Sequence, residues 1–198
     1  MKLTYSRYDL NFKVPGGTSR GVLRTKETYF LKIEEEGSVG IGEVGLFRGL
    51  SYDDRPDFET RLSWLASNID KGKEWCLDQL DEYPSIAFGL EQAFLSLEAS
   101  ERFEFFPSDF TRGTDSIDIN GLVWMGDKDF MKSQIHDKLN SGFKVIKLKI
   151  GAIDFNTEME LLGSIRKNFS AKDIELRVDA NGAFSTEEAM DKLNRLSE

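Results

Sequence analysis

Val145-Ile146-Lys147-Leu148-Lys149-Ile150 and Leu176-Arg177-Val178-Asp179-Ala180-Asn181-Gly182 are the stretches on which the fold of this 198-residue chain turns. The first closes a strand read over Phe143–Ile150 and the second ends a strand read over Ile174–Asp179, each with side chains alternating between two faces. In the first, Ile146, Leu148 and Ile150 share one face, and Lys147 and Lys149 share the other. In the second, Arg177, Asp179 and Asn181 lie opposite Leu176 and Val178. A helical pattern follows each strand. Phe155, Met159, Leu162, Ile165 and Phe169 keep register after the first, and Ala189, Leu193 and Leu196 after the second, where Ser185 and Glu188 form a capping box. An earlier strand at 117–124 precedes a helix carrying Met131, Ile135 and Leu139. Strand centres near Asn120, Leu148 and Val178 are 28 and 30 residues apart, which predicts the β/α alternation of a parallel sheet or barrel.

Upstream the rhythm differs. Residues 3–43 predict a three-stranded antiparallel meander: Leu10, Phe12 and Val14 alternate, 28–33 is a β-prone run, and Gly37-Ser38 turns the chain into 39–43. Pro15-Gly16-Gly17-Thr18-Ser19-Arg20-Gly21 reads as a mobile loop between the first two strands. Residues 56–100 take a helical period, with Phe58, Leu62 and Leu65 on one face, then Ile86, Leu90, Ala93, Phe94 and Leu97 after Pro84. Residues 101–115 carry no period and predict a linker. The division expected is an α+β domain over 1–105 and a β/α portion over 115–198. Three β/α units cannot close a barrel, since eight take about 250 residues, so the β/α part is expected to be incomplete and its third strand to present an open edge.

Composition narrows the function. A net charge of −9 without a basic stripe sets nucleic-acid binding aside. No apolar run approaches the roughly 20 residues needed to span a bilayer, and the N-terminus lacks a signal-peptide core. A single cysteine, Cys76, excludes an internal disulfide framework. The expectation is a cytoplasmic protein with neither membrane nor nucleic-acid partner. Cys76 reads as a packing residue, His136 as a surface residue and Glu34-Glu35-Glu36 as a solvated turn. The glycine-rich strings lack the strand–helix context of a dinucleotide site.

In a β/α barrel, chemistry gathers at the C-terminal strand ends. Adjacent strands lie about 5 Å apart, so Lys147, Lys149, Arg177, Asp179 and Asn181 are expected to converge as three cations, a carboxylate and an amide. Crowding by Lys147 and Arg177 would disfavour the charged form of Lys149 and suit it to act as a base. Asp179, with further carboxylates, would hold Mg²⁺, which would stabilise an enolate.

These residues resemble the enolase superfamily, specifically its muconate-lactonising subgroup. Lys147-Leu148-Lys149 is similar to that subgroup's Lys-x-Lys motif on the second barrel strand, and Asp179-Ala180-Asn181 to its Asp-x-Asn on the third. The resemblance implies an α+β capping domain, which 3–100 match up to Ser85-Ile86-Ala87-Phe88-Gly89-Leu90-Glu91-Gln92-Ala93, followed by the first three β/α units of a TIM-like (β/α)₇β barrel. Within the subgroup the chain is most similar to the o-succinylbenzoate synthase family, a menaquinone-pathway lyase family. Gly16-Gly17-Thr18-Ser19-Arg20-Gly21, Ile119-Asn120-Gly121-Leu122-Val123-Trp124-Met125-Gly126 and Arg177 carry that similarity.

The resemblance implies that Lys149 removes the proton α to a small-molecule carboxylate. Mg²⁺, held partly by Asp179, would stabilise the enediolate, and protonated Lys149 would assist departure of a hydroxyl. Lys147 would poise Lys149, Asn181 would orient the lysines, and Asn120 and Arg177 would support the site. Loops at Ser19-Arg20 and at Gly45-Leu46-Phe47-Arg48-Gly49 would close over the succinyl arm. The family's two further metal carboxylates and second lysine come from later strands. They would have to be supplied by the remainder of the barrel or by a complementing chain, and these 198 residues alone are expected to be inactive. Two alternatives stand beside this reading: a dipeptide epimerase or N-acylamino acid racemase of the same subgroup, and a truncated fragment without catalysis.

Overall fold

The computed structural model describes residues 1–18, 21–101 and 104–197. The chain divides into two compact units, Met1–Lys13 with Arg24–Ser116, and Val14–Leu23 with Ile117–Glu198.

The first unit is a sheet of order β1-β2-β3 packed under helices. Its strands are β1 (Lys2–Thr18), β2 (Gly21–Glu35) and β3 (Ser38–Leu46), except that Val14–Leu23, where β1 ends and β2 begins, belongs to the second unit. Antiparallel β2 and β3 pair from Glu27↔Leu46 to Glu35↔Ser38, around a two-residue turn in which Glu36 (φ 50) and Gly37 (φ 87) both take positive φ. Such mirror-image turns match the right-handed twist of paired strands. The expected loop beginning at Pro15 is corrected here: strand β1 runs through Pro15 and Gly16 to Thr18. Pro15 lies on β1, an edge strand of the sheet, the class of strand in which proline is tolerated.

Helices α1 (Phe58–Asn68), α2 (Lys73–Asp78) and α3 (Pro84–Glu98) complete the unit. Pro84 sits in the first turn of α3, where its fixed φ suits the helix and its missing N–H is not needed. Tyr29, Leu31, Ile33, Phe58, Leu62 and Leu90 are among the core residues. Cys76 is buried in the same core, bonded to Asn68 O at 3.4 Å. Gly40, Gly42 and Gly89 let β3 and α3 approach closely: a Cβ at Gly42 would lie 1.8 Å from Gly89 O, and one at Gly40 2.1 Å from Ala93 O.

The second unit holds a sheet of order β4-β5-β6, with β4 (Gly121–Val123), β5 (Val145–Lys149) and β6 (Glu175–Asp179) all parallel. Helices α4 (Lys128–Asn140), α5 (Phe155–Arg166) and α6 (Thr186–Ser197) follow their strands in turn. Asp127 caps α4 through Phe130 N at 2.9 Å, and Asp154 caps α5 through Thr157 N at 3.0 Å. Strand β4 is shorter than the expected 117–124. Ile117 and Ile119, 64% and 73% exposed, precede the ladder rather than join it. Among the described residues, no helix is long and apolar enough to cross a membrane.

Candidate active site

Ile146, Leu148 and Ile150 are all but fully buried, in one cluster with Met131 and Ile135 of α4 and Leu161 and Ile165 of α5. Burial of that apolar face fixes the phase of β5 and sends Lys147 and Lys149 to the opposite face. Register then decides what they meet. Lys147 pairs across the ladder with Arg177, and Lys149 with Asp179.

Lys147 Nζ lies 2.8 Å from Asp179 Oδ2, the two side chains being 33% and 35% exposed. Asp179 Oδ1 accepts from Asn181 N at 3.0 Å, and Asn181 Nδ2 donates to Asp179 O at 3.1 Å. This tight turn puts Asn181 in the left-handed region (φ 50) with Gly182 behind it (φ 73), a backbone that asparagine tolerates better than most residues. Asn181, expected to orient the lysines, thus makes these contacts to Asp179. The Lys147 hydrogen bond and the Asn181 amide hold the Asp179 carboxyl below the usual carboxylate range, with Lys149 adding a weaker pull.

A depressed folded pKa stabilises the fold above the ordinary aspartate value of about 3.9, and that contribution disappears as pH falls through the folded midpoint. Carboxyl ¹³C titration should therefore place Asp179 below the ordinary value in the parent and move it upward in Lys147→Ala. An unmoved midpoint would mean that the ion pair is not made in solution.

Lys149 Nζ lies 4.4 Å from the centroid of the Trp124 ring, a cation–π contact that no periodic pattern signals. Trp124 directly follows β4 and is partly exposed. In the same unit, a Cβ at Gly16 would reach within 4.0 Å of that ring. Arg177, opposite Lys147 in the ladder, also donates its Nε to Glu175 Oε1 at 2.6 Å, a carboxylate that the expected cluster did not include. Glu175 shares the face of Arg177 at i−2, so alternation could have revealed the pair. With Lys147 on Asp179 and Arg177 on Glu175, two of the three cations carry a carboxylate partner, and the crowding expected around Lys149 is reduced.

The remaining sequence-predicted residues fall elsewhere. Asn120 is half-buried just before β4. Ser19 and Arg20 lie outside the described residues. Arg48, in the first unit, binds Glu27 and places Nη1 2.8 Å from Asp54 Oδ1, while Gly49 N donates to Asp54 Oδ2 at 2.6 Å. Burial opposes the Glu27 charge, yet Arg48, Tyr29 and Arg7 hold that carboxyl below its usual range. The expected loop at 45–49 is shorter, since Gly45 and Leu46 pair within β3, and the turn that follows is braced from within its own unit, beside a cavity of about 510 Å³ lined in part by Phe47, Tyr52 and Phe88.

Mg²⁺ requires near-octahedral oxygen coordination, commonly including carboxylates. The described residues contain no group of three or more His, Cys, Asp or Glu able to hold a metal. Among the described residues, Asp179 is the carboxylate bound at the Lys147–Lys149 strand end, its Oδ2 held by Lys147 and its Oδ1 by Asn181 N. These residues alone do not fit the ion.

Comparison with known proteins gives a consistent picture. Residues 131–198 match the enolase C-terminal domain-like family. The chain is 41% identical to the o-succinylbenzoate synthase of Desulfotalea psychrophila, with all of this chain and 62% of that protein aligned. The crystal structure of MenC from Desulfotalea psychrophila LSv54 superposes with a TM-score of 0.80 at 37% identity, covering 100% of this chain and 61% of that one. An o-succinylbenzoate synthase from Thermosynechococcus elongatus BP-1, complexed with Mg in the active site, gives a TM-score of 0.75 at 19% identity, covering 100% and 57%, a likeness of fold. The chain thus spans about three-fifths of the length of these relatives.

Proposed function

We propose that this chain, which matches the enolase C-terminal domain-like family over residues 131–198 and is similar along its whole length to the o-succinylbenzoate synthase of Desulfotalea psychrophila, is the capping domain and first three β/α units of an enzyme that dehydrates a cyclohexadiene carboxylate to 2-succinylbenzoate. The observation that carries this reading is the pairing of Lys149 with Asp179 at neighbouring strand ends, with Lys147 bound to the same carboxylate.

Lys149 Nζ takes the proton from the carbon α to the substrate carboxylate. The electron pair left behind moves toward the carboxylate, then returns to expel the hydroxyl, which leaves as water with the proton that Lys149 carried. Base and acid are one group, so the proton and the hydroxyl lie on the same face of the ring. Lys147 fixes the Asp179 carboxylate and places positive charge near the substrate carboxylate. Trp124 supplies an apolar wall that limits how far the Lys149 amine can swing.

Mg²⁺, when bound, would supply charge stabilisation to the carboxylate oxygens. Asp179 would be one ligand of a set completed by carboxylates outside these residues, from the rest of a barrel or from a complementing chain. The protein expressed from its complete reading frame, given the cyclohexadiene precursor and Mg²⁺, should form succinylbenzoate, followed by the ultraviolet change on aromatisation. Absence of product alongside rapid epimerisation of dipeptides would replace this activity with the racemising one of the same subgroup.

A further inference from the structure

Lys149 ends β5, and residues 150–154 must turn the chain into α5. Backbone amides in such a turn lie beyond the strand ladder and need other acceptors. The acceptor here is Glu158, in the first turn of α5 and only 1% exposed. Its Oε1 accepts from Gly151 N at 2.7 Å. Burial pushes the carboxyl above its usual range, against the opposing pull of the Gly151, Ile153 and Ala152 amides and the more distant Lys192. A carboxylate buried this deeply is costly unless it is bonded; its Oε1 is bonded to the turn directly behind Lys149, while its Oε2 is buried without a hydrogen-bond partner among the described residues.

That turn is also joined to the loop carrying Asp179 and Asn181. Ile150 N donates to Asp179 O at 2.9 Å, and Ala183 N closes its own loop onto Ala180 O at 2.9 Å. Gly151 has φ +96, and a Cβ there would lie 2.4 Å from Ala183 Cβ and 3.3 Å from Ala180 O. The two loops are in backbone contact at the point where Glu158 grips the first of them. Lys192 of α6, bonded to Glu188 at 3.1 Å and lying over Phe155 and Phe184, closes the far side.

We propose that Glu158 is a positioning residue for Lys149: by accepting from Gly151 N in the β5–α5 turn, it fixes the direction in which the amine leaves the strand and its separation from Asp179. The catalytic part of this inference rests on Lys149 being the base; the geometric part does not.

The experiment compares Glu158→Met, which keeps the packing but accepts amide hydrogen bonds poorly, with Glu158→Gln, which keeps an acceptor for Gly151 N. In the protein from its complete reading frame, Glu158→Met should lower kcat by about 10²-fold, the cost of a misplacement near 1 Å, with KM little changed; Glu158→Gln should restore most of the rate. NMR gives a reading independent of substrate. The Lys149 CεH₂ signal, lying against the Trp124 ring, should be shifted upfield by the ring current in the parent and in Glu158→Gln, and should relax in Glu158→Met. Relaxation of that shift in a protein without dehydratase activity would uphold the positioning role and remove the activity proposed above. An unmoved shift in folded Glu158→Met would overturn the positioning role. Should Glu158→Met fail to fold, Glu158→Asp, with its carboxylate drawn back by one methylene, takes its place against Glu158→Gln. If that also fails to fold, Glu158 is a folding residue and the proposal is lost.

Discussion

Lys149→Ala is expected to lower kcat on the cyclohexadiene carboxylate by about 10²- to 10⁴-fold, the range general-base catalysis contributes, while the fold stays intact. The second half of that statement follows from the strand's phase. Lys149 lies on the half-exposed face of β5, and the residues that anchor the strand, Ile146, Leu148 and Ile150, are buried on the other. Losing the Trp124 contact forfeits about 0.5–1 kcal/mol, as for an exposed cation–π pair, so the melting midpoint should fall by no more than about 2–8 °C. Lys149→Arg separates a base from a mere positive charge. Arginine keeps the cation and its hold on the indole but does not give up its proton in the working range. It should be as slow as alanine, and neither variant should exchange the substrate α-proton with D₂O. Lys147→Ala, by contrast, should retain slow exchange, because it loses the partner of Asp179 and not the group that accepts the proton. An arginine variant keeping more than about a tenth of the parental rate would remove Lys149 from the role of base.

How much of this was legible before the structure depends on whether a residue's partner lies within reach of a periodic pattern. The phase of β5 was legible because burial on one face of a strand leaves a period of two, and Ile146, Leu148 and Ile150 display it. The Ser185–Glu188 capping box was legible because its partners are three residues apart; Glu188 N does donate to Ser185 Oγ, at 3.3 Å. Strand β4 was overextended because Ile117 and Ile119 alternate like strand residues, yet pairing needs a neighbour that the alternation cannot supply. Trp124 and Glu158 went unrecognised for a different reason. An aromatic after a strand and a glutamate in a first helical turn are both ordinary, and their roles come from a contact to Lys149 and to the turn behind it. Arg177 faces Lys147 in the register that the strand phases imply, and its bond to Glu175, two residues away on the same face, follows the same alternation.

The glycine pattern of β3 held more information than was drawn from it, and it supports the largest stability effect anticipated in the first unit. Gly42→Ala should destabilise that unit by about 3 kcal/mol, at the upper end of overpacking penalties. At about 4–8 °C per kcal/mol for a domain of this size, the midpoint should fall by more than about 10 °C. Gly42 is not among the positive-φ glycines, so alanine brings no backbone strain, and it even gains strand propensity by roughly 0.5–1 kcal/mol. The whole penalty must come from contact. The added Cβ would sit 1.8 Å from Gly89 O and 2.8 Å from Ala93 N, both main-chain atoms of α3. Neither can rotate away, and relief requires α3 to shift off the sheet, which would open the contacts of Leu90, Ala93 and Phe94 with the core. Gly45 in the same strand is the control. Its added Cβ would meet only Lys26 Cε and Nζ at 2.8 Å, the far end of a flexible side chain, so Gly45→Ala should cost under about 1 kcal/mol even with the Lys26–Glu43 pair disturbed. Thermal melts of the two variants side by side test the close packing of β3 on α3. Equal, small losses would mean that helix and sheet are separated by more than these glycines imply.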